Sequence, residues 1–169
     1  MTRYEEAGPL SRIVSVDRLR RSDGRLIVTA SPEECAALAA DFGTPSIQEL
    51  VGTFETSGPP SAFRVRGTVA ALVTQVCTVT LEPFEGPVSE SVDLLFTDTD
   101  RLEGTDAEDA DIPDPIVGGK IDFGTITAEF LALGLDPYPR KPGVAFEPHI
   151  EDADEGPLAA LRGLKSAKD

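Results

Sequence analysis

The sequence predicts an α+β fold: a bent, mostly antiparallel sheet with two packed helices, a long acidic loop and a short C-terminal tail helix. Three observations predict it. Apolar and polar residues alternate over a long run after Phe63, two other stretches repeat their apolar residues at helical spacing, and Gly-, Pro- and acid-rich segments divide them. At 169 residues the chain fits a single domain over 1–145, followed by an acidic linker and amphipathic tail over 146–169.

Residues 13–19 and 26–30 read as two short strands, and Asp23-Gly24 between them is the pair a tight turn favours, so an N-terminal hairpin is expected. Ser31-Pro32-Glu33-Glu34 has the order of a helix start, with Ser31 as cap, Pro32 in the first turn and Glu34 reaching back to close a capping box. Cys35, Leu38, Ala39 and Phe42 follow at helical spacing, and Gly43 is placed to stop the helix. Residues 47–56 form a strand candidate ended by Ser57-Gly58-Pro59-Pro60.

From Phe63 to Leu81 one parity is dry (Phe63, Val65, Val69, Ala71, Val73, Cys77, Val79, Leu81) and the other carries Arg64, Arg66, Thr68, Thr74, Thr78 and Thr80. A strand of that length needs a bend or bulge, expected near Gly67 or Gln75. Residues 82–87 are expected to turn the chain into a returning strand carrying Val88, Val92, Leu94 and Phe96. Residues 97–119 read as a mobile acidic loop. A helix then starts near 122–125, runs through Ile126, Phe130 and Leu133, and takes Gly134 as its stop. Prolines keep 136–142 extended, and 157–165 forms an amphipathic tail helix that docks on this protein or on a partner.

The formal charge of −15 disfavours non-specific nucleic-acid binding by the whole surface and favours a basic partner. The arginines are unevenly spread, so two candidate surfaces stand out. Arg18, Arg20, Arg21, Arg64 and Arg66 are candidates for RNA contact; Asp98, Asp100, Glu103, Asp106, Glu108, Asp109, Asp111 and Asp114 are candidates for contact with a basic partner. Two cysteines are too few for a disulfide framework, no basic start precedes an apolar run, and no stretch approaches the roughly 20 apolar residues of a membrane span. A cytoplasmic protein without membrane partners is expected.

Cys77 and His149 are the one Cys-His pairing near a distinctive motif, but a thiol nucleophile needs an exposed, electropositive setting, and Cys77 reads as a buried structural thiol. No catalytic residue is assigned. Two separated thiols and one histidine do not make a zinc site, and nothing in the sequence places Glu82 beside Glu129 as an acid/base pair. The run Asp98-Thr99-Asp100-Arg101-Leu102-Glu103-Gly104 departs from a calcium loop at Leu102 and at the late glycine, and no phosphate-cradling glycine loop is present. No metal or cofactor is expected.

The motifs now assembled are Gly67 in the long strand, Gln75-Val76-Cys77-Thr78-Val79-Thr80-Leu81-Glu82-Pro83, Asp122 and Gly124 leading to Glu129, Asp136-Pro137-Tyr138-Pro139-Arg140, and the tail 157–165. In this order they resemble the YceD family, the large ribosomal RNA subunit accumulation proteins, in the form typical of alphaproteobacteria. Many relatives carry a second cysteine three positions after the first, where this chain has Thr80. The resemblance implies a non-catalytic role in synthesis, processing or stability of 23S large-subunit rRNA. It also implies a basic large-subunit ribosomal protein, a large-subunit rRNA precursor, or both, as partners.

Overall fold

A computed structural model describes residues 8–98 and 113–145. The elements run β1 (Ile13–Ser15), α1 (Val16–Arg21), β2 (Arg25–Thr29), α2 (Pro32–Phe42), β3 (Ser46–Ser57), a 3-10 turn (Pro60–Ala62), β4 (Phe63–Val76), β5 (Pro83–Asp98), β6 (Asp114–Ile116), β7 (Lys120–Asp122) and α3 (Phe123–Gly134). Strands β2 to β6 lie side by side in chain order, antiparallel except for the β5–β6 pair, and β1 pairs with β7 in a separate two-stranded sheet. The expected α+β class holds.

Alternation builds the main sheet. Phe63, Val65, Val69, Ala71 and Val73 of β4, with Val92 and Phe96 of β5, turn to the buried face, where they join Leu38 and Ala39 of α2 and Phe123, Ile126 and Leu131 of α3 in one cluster. The Phe54 and Phe123 rings meet at 5.3 Å with a 60° tilt, a geometry favoured by aromatic quadrupoles. Residues of the opposite parity, Arg64, Arg66, Thr68 and Ala70 among them, stay exposed.

Helix α2 follows its local signals. Ser31 Oγ accepts from Glu34 N–H, the Glu34 carboxylate accepts from Ser31 N–H, and Gly43 closes the helix at φ 66°. The same carboxylate takes two 2.8 Å hydrogen bonds from Arg12, which fastens the N-terminal segment to the start of the helix.

Four expectations need correction. There is no N-terminal hairpin: 13–19 breaks after Ser15 into α1, and β1 pairs with β7, in the register Ile13↔Asp122, while β2 pairs with β3. Val16 and Leu19 are buried at helical spacing, and the Asp23-Gly24 turn joins a helix to a strand. The long strand ends at Val76, so Cys77 to Leu81 is the turn itself and β5 already begins at Pro83. The irregularity falls in β3, between Gln48 and Val51 with Glu49 at φ 52°, whereas β4 keeps unbroken register with β5. Gly67 has a different reason to be glycine: a Cβ there would run into the Thr53 carbonyl oxygen.

Gly134 is the fourth. It is the last residue of α3 rather than a left-handed stop, and a Cβ on it would come within 2.7 Å of side-chain carbons of Val88 and Glu90. Its smallness lets the helix end lie against β5. Of the acidic loop expected over 97–119, 97 and 98 belong to β5 and 114–116 form β6, 99–112 lies outside the described residues, and so does the expected tail helix. Among the described residues no helix is long and apolar enough to cross a membrane.

Candidate functional site

The two most distinctive motifs meet at the tip of the β4–β5 hairpin, through hydrogen bonds between residues 61 to 64 apart in the chain. The tip closes through Cys77 N–H to the Glu82 carbonyl and Leu81 N–H to the Cys77 carbonyl, both 2.9 Å, and Leu81 adopts φ 59°. Beyond α3, prolines at 137, 139 and 142 hold the chain out of regular structure so that it lies along this turn. Gln75 Nε2 donates to the Asp136 carbonyl at 3.1 Å, and the Pro139 carbonyl accepts from both Thr78 N–H (2.8 Å) and Thr78 Oγ1 (3.2 Å). Lys141 closes the clamp, with its N–H directed at Cys77 Sγ (3.4 Å) and its ammonium 3.2 Å from Glu82 Oε2.

Cys77 is fully buried yet stands outside the hydrophobic core cluster. The expected burial is present, but polar donors of the turn and clamp face the sulfur. Lys141 N–H, then the Thr80 hydroxyl and N–H, with a further contribution from Val79 N–H, lower the thiol pKa to about 6 against the opposing effect of desolvation. Cys35 is the contrast, since burial on the core face of α2 pushes its thiol upward. Thr80 thus uses its position to satisfy the neighbouring sulfur. Chemically, the site offers an acidified thiol that no solvent reaches; His149 lies outside the described residues.

The tip and the clamp both expose large side chains: Leu81 is 77% exposed and Tyr138 73%, and Arg140 is exposed as well. Tyr138 N–H donates to Asp136 Oδ1 at 2.9 Å, which holds the start of the clamp in a tight turn.

The arginines occupy other regions. Arg18, Arg20 and Arg21 lie on α1, where Arg20 is 3.8 Å from Asp17. Arg64 and Arg66 share the open face of the sheet, as strand parity implies. Strand pairing places Arg25, Glu55, Arg66 and Asp93 in one row across β2, β3, β4 and β5. Asp93 takes two 2.7 Å hydrogen bonds from Arg64 and lies 3.5 Å from Arg66, and the Arg64 hydrogen bonds in particular lower its pKa.

Asp98 ends β5 and Asp114 begins β6; Asp100, Glu103, Asp106, Glu108, Asp109 and Asp111 lie outside the described residues. Asp122 caps α3 by accepting from Gly124 and Thr125 N–H, and it also accepts from Arg12 N–H and Ser11 Oγ. Glu129 stands on α3 with its pKa raised by desolvation and then by Asp114 and Asp122, and the geometry does not pair it with Glu82, whose partner is Lys141. Among the described residues no three metal-binding side chains stand together. Lys141 is the contributor that sequence reasoning missed, because its partners Cys77 and Glu82 lie 64 and 59 residues away, beyond any local pattern.

The model of a family described as large ribosomal RNA subunit accumulation protein YceD matches residues 65–165, a span that contains both motifs of the tip. No curated protein and no solved structure matches the chain.

Proposed function

Because the chain belongs to the YceD family of large ribosomal RNA subunit accumulation proteins, we propose that it supports 23S rRNA synthesis, processing or stability as a non-catalytic cytoplasmic factor that binds a basic large-subunit ribosomal protein. One observation favours a protein partner over RNA. The strand arginines already face carboxylates, with Arg64 and Arg66 on Asp93 and Arg25 on Glu55. Phosphates would have to displace those carboxylates and approach a molecule of charge −15, whereas the same field draws in a basic protein. The acidic residues from Asp98 to Asp114 add to that attraction.

A second reading, direct RNA contact, rests on Arg18 and Arg21, which are exposed on α1 and form no ion pair among the described residues. The non-catalytic part of the proposal is supported by the cover over Cys77, since a substrate reaches that sulfur only if the turn opens.

The test titrates the full chain with individually purified basic large-subunit ribosomal proteins and, separately, with protein-free large-subunit rRNA. Binding to a protein that weakens with salt is expected, with none to the RNA at low salt. The reverse pattern overturns the protein-partner reading. In cells, an unchanged large-subunit profile after deletion of the gene removes the rRNA role.

A further inference from the structure

Resting on the protein-partner reading, we propose that the β4–β5 hairpin tip is the docking surface, and that it seats Leu81 and Tyr138 in an apolar recess on the basic ribosomal protein. Leu81 occupies a left-handed backbone position, φ 59°, that suits glycine or asparagine, and its side chain is 77% exposed. It belongs to no part of the core cluster, so the fold gains no packing from having leucine there. Tyr138 projects from the clamp with 73% exposure, and tyrosine and arginine are the side chains that most often anchor interfaces. Arg140 stands two residues beyond it.

The tip is also preorganised. Thr78 is tied to Pro139, Gln75 to Asp136 and Glu82 to Lys141, so the segments bearing Leu81 and Tyr138 are already fastened together before a partner arrives. A surface fixed in advance loses little conformational freedom on binding. The occupant follows from charge. Arg140 and Lys141 lie on the clamp and Lys141 pairs with Glu82, so it is the charge of the whole chain, −15, that suits a basic protein and repels both RNA and a second copy of this chain. A leucine also offers a base no stacking plane.

Leu81→Gly is the informative variant, because it removes the side chain and relieves the backbone, so lost binding is not explained by unfolding. The full-length wild type, Leu81→Gly and Tyr138→Ala are titrated with the panel of purified basic large-subunit proteins and with protein-free rRNA, and their thermal midpoints and solution masses are measured. The expected result is one bound protein, an affinity loss of at least about tenfold in each variant, and an unchanged or higher midpoint for Leu81→Gly. Binding that persists undiminished in both variants overturns the tip as the docking surface while leaving the protein-partner reading intact. No binding to any protein, or tip-dependent binding of RNA or of a second copy, overturns both.

Discussion

Cys77 is buried, but its environment is polar, and that difference sets its chemistry. Donors from Lys141, Thr80 and Val79 lower its pKa to about 6, while Cys35 on the buried side of α2 is shifted the other way by burial. Thiolate ultraviolet absorbance of the full chain is therefore expected to show an early transition near that value which Cys77→Ser removes. The stability consequence has a definite sign. The folded pKa lies below the unfolded one, so the contribution is complete above about 8.5, the ordinary thiol value, and is lost as pH falls through about 6. Denaturant unfolding of wild type and Cys77→Ser should thus diverge in the wild type's favour as pH rises across that window; a constant difference shows that the buried thiol keeps its proton. Alternation in the sequence places Cys77 on a dry strand face because Val73 and Val79 share its parity. The donor that matters most comes from 64 residues away, beyond the reach of any local pattern. Leu81 is similar: its left-handed conformation costs roughly 1–2 kcal/mol for a residue with a Cβ, and nothing in a Thr-Leu-Glu sequence announces it.

At the scale of elements, legibility follows the range of the determining contacts. Helix α2 was readable from end to end because Ser31, Pro32, Glu34 and Gly43 act within a turn of the residues they control. The N-terminal strands were not, because β1 takes its partner from Lys120–Asp122, far along the chain, and Val16 and Leu19 answer to a core that no local alternation describes. Asp122 joins these distant pieces. It accepts from Ser11 Oγ and Arg12 N–H on one side and from Gly124 and Thr125 N–H at the start of α3 on the other. Asp122→Ala is expected to cost about 3 kcal/mol, more than the ~1 kcal/mol of an ordinary helix cap, since donors on two elements lose their acceptor together. Denaturant unfolding measures it, and a loss no larger than that of a lone cap shows that β1 is held by its strand pairing instead. Desolvation opposes ionisation of this carboxylate, but Ser11 and the backbone donors lower its pKa. Its contribution is accordingly present above the unfolded carboxylate pKa and lost as pH falls through the folded one.

Across the whole molecule, the motifs were visible in the sequence while their meeting was not: Gln75–Pro83 and Asp136–Arg140 are separate strings until α3 crosses the sheet and returns the chain to the hairpin tip. Charge, by contrast, is fully legible from composition, and it makes stability and binding respond to salt in opposite directions. A net charge of −15 is a diffuse self-repulsion, whereas the open-face pairs, Arg64 with Asp93 at 2.7 Å and Arg25 with Glu55 at 3.3 Å, are short and exposed. Exposed pairs contribute little, and added salt, with a screening length of about 10 Å at 0.1 M, suppresses long-range repulsion more than contacts at such separations. The thermal midpoint should therefore rise as sodium chloride is raised from low ionic strength, even as affinity for the proposed basic partner falls. Each kcal/mol released from self-repulsion corresponds to roughly 2–4 °C for a domain of this size. A midpoint that falls over the same range places the Arg25–Glu55–Arg66–Asp93 row above the acidic excess as the controlling electrostatic feature of the fold, and then neutralising Asp93 should cost more stability at low salt than at high.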